Sequence, residues 1–391
     1  MKILMMLEHE FPGDVRVDRE VESLHKAGIE VDIAIYTRNK NKKTIISFKW
    51  GKVYTKYISK LNFKLSALAL SLPNYFNFWE TFITNILKNN TYDYIHLHDL
   101  PLIKVAQKIS KKYNIPLTVD LHENRPEIMK LYQHVNSFPG KFLISLKKWR
   151  RYQKHYIKNV DNLILITPEA KQYYINELNV EPNKISVVPN YINLPIEFNN
   201  VDTKLLNKFK NKKTIVYFGD MSVRRGIVEV IEVAKLQKNN PDFHFVFIGN
   251  GSGLPVIKEL SEKYNLKNVD ILDYIPIKKA LKIIESCSIG ICPFHRNIHH
   301  DTTYANKMFQ YMALGLPLIV SDCPSQAIIV EKENAGVIFK AGDVNDLNNK
   351  LLELTKDEAY FNEISEKIKL LVPKKYNWNI AAIELLKIYK N

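Results

Sequence analysis

The chain has 391 residues, 46% of them hydrophobic, and its 56 Lys+Arg against 41 Asp+Glu give a formal net charge of +15. That is enough sequence for two or three separate cores, and it excludes a fibre or a disordered tail. The three cysteines, Cys287, Cys292 and Cys323, are odd in number, sit in apolar surroundings and lack metal-ligand spacing, so they read as buried thiols rather than a disulfide framework. The positive excess favours an anionic partner, whether nucleotide, phospholipid surface or nucleic acid, and charge alone does not choose among them. The Lys/Asn runs at 39–43 and 208–213 read equally well as solvated surface.

Lys2–Leu7 is an apolar first strand, and the acids Glu8 and Glu10 directly after it argue against a signal peptide, so a cytoplasmic protein is expected. A loop with Pro12 and Gly13 leads to a helix over Val15–Ala27, closed by Gly28, and then to a strand over Val31–Tyr36, making a βαβ unit. In a doubly wound parallel sheet Gly13 and Asp14 would face the ligand edge. Two later strands, Tyr94–His98 and Leu117–His122, each end in a polar pair, His98-Asp99 and His122-Glu123. Histidines at successive strand ends are candidate site residues, with a structural role left open. Leu163–Thr167 and Ile185–Pro189 read as further strands around a helix over Pro168–Leu178.

Between Asn193 and Lys213 the chain turns polar and reads as a linker, dividing a first domain, 1–192, from a second, 193–375. The second begins with a strand over Thr214–Phe218, a loop Gly219–Arg225 and a helix Gly226–Gln237. Strands over Phe243–Ile248, ending in Gly249, and Val269–Leu272, followed by Tyr274, come next. After a helix over Ile277–Glu285 and a strand over Ile289–Pro293, the loop Asp301–Asn306 runs into the helix Lys307–Leu314, Gly315 ends it, and Leu316–Val320 is a buried strand. A helix Val344–Thr355 follows. The amphipathic segment Ile380–Tyr389, within 376–391, is expected to pack back on the first domain. Strands alternating with helices in both halves predict α/β architecture with two doubly wound sheets.

Two features of the second half suit a diphosphate. The first N–H groups of the helix at Asn306, Lys307 and Met308 have no intrahelical acceptor and sit at the positive end of its dipole. Arg224 and Arg225 directly precede another helix, where two guanidiniums oppose the dipole unless an anion compensates. No Asp-x-Asp pair follows a predicted strand, and the consecutive HHD at 299–301 is poorly suited to converge on one ion, so no metal cofactor is expected. In the first half, Lys141–Lys158 places Phe142, Leu146, Trp149 and Tyr156 near helical spacing among Lys147, Lys148, Arg150 and Arg151 without an acid. With the Leu- and aromatic-rich stretch Leu61–Leu87 it reads as a face for anionic membrane or as ordinary packing helices.

The ordered series FGDMSVRRG, VFIGNGSG, ICPF and YANKMFQYMALGLPLIVSD, with GDVRVDRE near the start and VDLHENRPE between, resembles the nucleotide-sugar-dependent retaining glycosyltransferases of family four. The resemblance spans nearly the whole chain. It implies the GT-B fold, two Rossmann-like domains across a cleft, and the branch that builds bacterial surface polysaccharides and glycolipids. By it, His122 would stand beside the donor sugar and Arg225 on the diphosphate as the catalytic pair. Gly13, Asn306 and Lys307 would meet phosphate, and Gln310 would occupy the place of a ribose-holding glutamate. Asp14, Arg224, Gly249, Tyr274 and Thr303 complete the expected donor-binding set. The sequence departs from the family pattern at Thr302 and Gln310, where two glutamates are usual, and at Asp220, where a basic residue is usual. The implied partners are a nucleotide sugar, most simply a UDP-sugar, a glycan or lipid-linked acceptor and an anionic membrane surface on the cytoplasmic side, not nucleic acid. The rival readings are a nucleotide-sugar 2-epimerase of similar fold and a degenerate nucleotide-binding subunit of an active transferase.

Overall fold

The computed structural model describes residues 1–138, 140–209 and 212–390, so Lys210 and Asn211 of the second Lys/Asn run lie outside the described residues. The chain divides into two compact units, Met1–Pro189 with Ala381–Asn391, and Asn190–Ile380.

The first unit is built on the strands β1 (Lys2–Leu7), β2 (Glu30–Thr37), β3 (Ile45–Phe48), β4 (Gly51–Tyr57), β5 (Tyr94–His98), β6 (Leu117–Leu121), β7 (Asn162–Leu165) and β8 (Ile185–Val187). They form one sheet in the order β3-β4-β2-β1-β5-β6-β7-β8, parallel apart from the β3–β4 pair. Ile3 through Leu7 are all 0% exposed, because crossover helices cover both faces of a parallel sheet and a central strand must be apolar throughout rather than alternating. The chain leaves β1 in one direction towards β2 and β4 and in the other from β5 towards β8. The gap between β1 and β5 is therefore a topological switch point, where ligands meet the carboxyl ends of the strands.

The second unit carries β9 (Lys213–Asp220), β10 (Phe243–Asn250), β11 (Val269–Leu272), β12 (Ile289–Cys292), β13 (Leu318–Ser321) and β14 (Gly336–Phe339), all parallel, in the order β11-β10-β9-β12-β13-β14. Its switch point lies between β9 and β12. Two close approaches fix what stands there. A Cβ on Gly290 would lie 2.3 Å from the Tyr311 ring, so the helix Asn306–Ala313 rests directly on β12. The backbone N–H of Phe218 in β9 donates to the Tyr311 hydroxyl at 2.9 Å. Tyr311 thus pins the helix to both central strands, with Lys307 one turn before it.

Several sequence-based expectations change. The basic stretch is not one helix: Gly140–Leu143 and Leu146–Tyr156 are separate, with Ser145 capping the second by accepting from Lys148 N, and a 3-10 turn follows. Its apolar side does not face outward, since Trp149, Tyr152 and Ile157 are buried in the first unit's core. The stretch Leu61–Leu87 likewise sends Trp79, Ile83 and Ile86 into that core, interrupted before the helix Asn74–Leu87. The polar linker contains the helix Thr203–Asn207, and its Leu194, Ile196, Val201, Leu205 and Leu206 pack against the second core. Tyr389, beyond the last helix Trp378–Ile388, belongs to the first unit, where its hydroxyl meets His96 Nδ1 at 2.6 Å.

Candidate functional site

At the switch point of the second unit, the turn after β9 brings three ionic side chains together. Arg225 Nε donates to Asp220 Oδ2 at 2.9 Å and Arg224 Nη2 donates to the same oxygen at 3.2 Å. The Arg225 guanidinium lies over the Phe294 ring at 5.1 Å, and Arg224 Nη1 is 3.2 Å from His300 Nε2. The loop closes because Gly226, at φ 74°, lets the backbone reach Pro293, where a Cβ would come within 1.7 Å of the carbonyl oxygen. Burial pushes His299 down to about 3 and His300 to about 4, so both are neutral near pH 7.

Lys307 is 7% exposed, and its Nζ has no hydrogen-bond acceptor among the described residues and lies 3.5 Å from the centre of the Tyr217 ring. Burial first, then the Arg225 charge, pushes its amine down to about 7. Asn306 is exposed at the helix start, and Gln310, half-buried, lies one turn on along the same face.

In the first unit a buried polar cluster lies beneath the end of β6. Arg16 donates to both Asp120 oxygens, Nε to Oδ2 at 2.9 Å and Nη2 to Oδ1 at 3.1 Å, and to the Val188 carbonyl at 3.0 Å. His122 Nε2 is 3.2 Å from Asp120 Oδ2 and 3.2 Å from His98 Nδ1. Burial opposes its charge, yet the Asp120 carboxylate, with Asp99 beyond, outweighs burial and raises His122 to about 9. Arg16 and His122 together hold Asp120 well below the usual carboxylate range against its own burial. Burial instead pushes Glu20 well up and His98 well down. Glu20, His96, His98 and Asp120 place ligand-type atoms within 4.8 Å of one another. Arg16 Nε lies 2.9 Å from both Glu20 Oε1 and Asp120 Oδ2, so a guanidinium already sits against this group. The HHD residues do not converge on a common point, since Asp301 pairs with Arg296 at 2.7 Å while His300 turns to Arg224.

Residues 14–195 match the family model "Glycosyltransferase Family 4", and residues 200–370 match "Glycosyl transferases group 1". The chain is a family-four-type glycosyltransferase. Its two Rossmann-like α/β units give it the GT-B fold class, and a sucrose-phosphate synthase structure from Thermosynechococcus elongatus superposes with a TM-score of 0.77 at 18% identity, covering 100% of this chain and 98% of that one. The UDP-Gal:alpha-D-GlcNAc-diphosphoundecaprenol alpha-1,3-galactosyltransferase of Escherichia coli is 24% identical over 297 residues, 70% of this chain and 69% of the relative. The N,N'-diacetylbacillosaminyl-diphospho-undecaprenol alpha-1,3-N-acetylgalactosaminyltransferase of Campylobacter jejuni is 24% identical over 237 residues, 56% of this chain and 58% of the relative.

Within this glycosyltransferase the expected donor residues divide. Arg224, Arg225 and Lys307 gather around the end of β9, and Gln310 and Asn306 lie on the adjoining helix. Gly249 is a packing residue, for a Cβ there would lie 2.0 Å from the Gly219 carbonyl oxygen. Tyr274 is 74% exposed after β11. Thr303 offers its carbonyl to Ser325 Oγ at 2.8 Å, and the Thr302 hydroxyl is committed to the Ile298 carbonyl at 2.6 Å. In the first unit Gly13, at φ 132°, leaves open space where a side chain would be, whereas Asp14 is occupied as the N-cap of the helix Val15–Lys26, accepting from Arg16 N and Val17 N. Of the four basic residues expected to face a membrane, Lys147 and Arg151 are exposed, Arg150 pairs with Glu127 at 2.9 Å and Lys148 reaches Ser71 Oγ at 3.3 Å. Beside them Phe138 and Phe142 are 83% and 80% exposed, their rings 6.3 Å apart. Sequence reasoning missed Asp220 as the arginines' partner and the Arg16–Glu20–Asp120 network. The signal for the second was available in part, since Arg16 and Glu20 are four apart on one helix face.

Proposed function

We propose that this glycosyltransferase moves a sugar, with retention and without a metal, from a nucleotide sugar, a UDP-sugar, to a lipid-linked glycan or surface-polysaccharide precursor at the cytoplasmic face of a membrane. The observation that carries the reading is the group of basic side chains at the β9–β12 switch point, where Arg224 and Arg225 share the Asp220 carboxylate, Lys307 Nζ lies beside Gly219, and the helix Asn306–Ala313 begins. Two relatives named for diphosphoundecaprenol-linked acceptors, one of them also for UDP-Gal, support the choice of acceptor and donor.

In this reading the sugar C1–O bond breaks with its electron pair left on the β-phosphate oxygen. The acceptor oxygen bonds to C1 from the same face, and its proton passes to the leaving diphosphate. The arginines stabilise the charge that develops there, and the family resemblance alone assigns His122, held charged by Asp120, to the donor sugar. Among the described residues no helix is long and apolar enough to cross a membrane, so attachment would be peripheral. The exposed pair Phe138 and Phe142, with Lys147 and Arg151 nearby in sequence, suits an anionic lipid surface better than the buried side of the basic helix does.

A thermal-shift screen of nucleotide sugars tests the donor. A ligand bound only by the folded chain stabilises it by RT ln(1 + [L]/Kd), about 2.7 kcal/mol at a hundredfold Kd. The expected result is a marked shift with UDP-sugars, followed by transfer from the best of them to a diphosphoundecaprenol-linked sugar. No shift with any nucleotide sugar would overturn the reading.

A further inference from the structure

Lys307 differs from the arginines beside it. They share a carboxylate, whereas its Nζ is sealed from solvent, has no hydrogen-bond partner among the described residues, and lies 3.5 Å from the Tyr217 ring centre and 5.7 Å from that of Phe294. What separates the amine from the 219–225 loop is Gly219, where a Cβ would sit 3.5 Å from Nζ. With no side chain at that point, a flexible lysine has a path to the loop.

Charge counting gives this placement a purpose. Two guanidiniums and the one Asp220 carboxylate leave a single net positive charge in the loop. A bound nucleoside diphosphate brings roughly two negative charges or more.

Resting on the donor-diphosphate reading, we propose that Lys307 is a retracted phosphate cation: stored against Tyr217 in the free chain, it passes Gly219 to meet the diphosphate and takes up a proton as it does so. Its neighbours leave it the group best placed to do this. Arg224 and Arg225 share the Asp220 carboxylate, the Cys292 thiol is pushed up to about 12 by burial, the Tyr217 phenol is also pushed up, and His299 and His300 are held neutral. His295, at the far side of the loop, is paired with Glu229 at 2.7 Å. With its amine near 7, Lys307 is about nine-tenths neutral at pH 8.

Calorimetry of UDP binding at pH 8, in two buffers of different ionisation enthalpy, measures the protons exchanged. UDP itself contributes little there, because its terminal phosphate ionises near pH 6. The wild type should take up about 0.5–1 proton. Lys307→Met should bind UDP about tenfold or more weakly with no uptake, and Lys307→Arg, already charged, should bind without uptake. UDP bound by the wild type with no proton exchanged, or with the same exchange in Lys307→Met, would overturn the proposal while leaving the donor reading intact. Failure of UDP to bind at all would overturn both.

Discussion

Asp220 is the anion that the two arginines hold when no diphosphate is present, so replacing it with asparagine should raise affinity for the donor while lowering the stability of the free chain. The size follows from the geometry. Its two contacts, at 2.9 and 3.2 Å, join side chains that are 22–39% exposed, so each contributes about 0.5–1 kcal/mol after screening. A diphosphate must break or share both and also meets the repulsion of the remaining carboxylate, about 0.7 kcal/mol for unit charges near 6 Å in a watery medium. Asp220→Asn keeps the shape and removes these costs. UDP should therefore bind about 1–2 kcal/mol more tightly, roughly five- to thirtyfold. Calorimetry of UDP at moderate salt measures the first effect, and thermal unfolding without ligand the second. If Asp220→Asn binds UDP equally or more weakly, the carboxylate is aligning the arginines for the ligand rather than standing in for it, and the reasoning fails.

Gln310→Glu should tighten UDP about tenfold if residue 310 faces the ribose, since a bond to a charged group contributes about 1.5–3 kcal/mol against 0.5–1.5 for a neutral one; weaker binding by calorimetry would place Gln310 elsewhere. His122→Ala should cut turnover on the order of 10²-fold with UDP affinity nearly unchanged, and an equal loss of UDP binding would remove it from the donor sugar. Because His122 is raised from 6.5 to about 9, its charge stabilises the fold fully below pH 6.5 and progressively less as pH rises through 9. Wild-type melting temperature should accordingly fall towards that of His122→Asn between pH 7 and pH 10. Gly290→Ala should destabilise the second unit by about 2–3 kcal/mol or more, because its methyl group would land 2.3 Å from the Tyr311 ring; near-wild-type unfolding would contradict that packing. Phe138→Ser with Phe142→Ser should weaken binding to anionic vesicles more than neutralising Arg150, which is already paired with Glu127, and sedimentation with vesicles separates the two.

The central parallel strands were legible because buried runs such as Lys2–Leu7 and Ile289–Cys292 have little other use. β3 was not, since its burial alternates weakly at the sheet edge and Ile45 is 51% exposed. The basic helix shows the limit of periodicity. Phe142, Leu146, Trp149 and Tyr156 mark an apolar face in the sequence, but spacing does not say whether lipid or the chain's own core covers it, and Trp149 proves to be core. The loop before Val15 suggests a ligand-facing Asp14, and the structure adds a capping role for its side chain that local pattern alone does not single out. Arg224 and Arg225 stood out as an uncompensated basic turn, and the compensating acid was only four and five residues away at Asp220. Asp120 could not be assigned from local pattern, because its partner Arg16 lies 104 positions earlier.

The return of the chain's last residues to the first unit sets an order of completion during synthesis. Residues Asn190–Ile380 form the second unit without interruption, so it can close as soon as it leaves the ribosome. The first unit emerges earlier yet is finished later. Until Tyr389 arrives, His96 lacks its hydroxyl partner and Tyr94 the ring packed edge-on against it at 5.1 Å. Tyr389 caps the same buried chain of side chains that runs through His98 to His122. A stop codon or fusion joint placed before it therefore disturbs the support under His122, although it alters the sequence some 270 residues downstream.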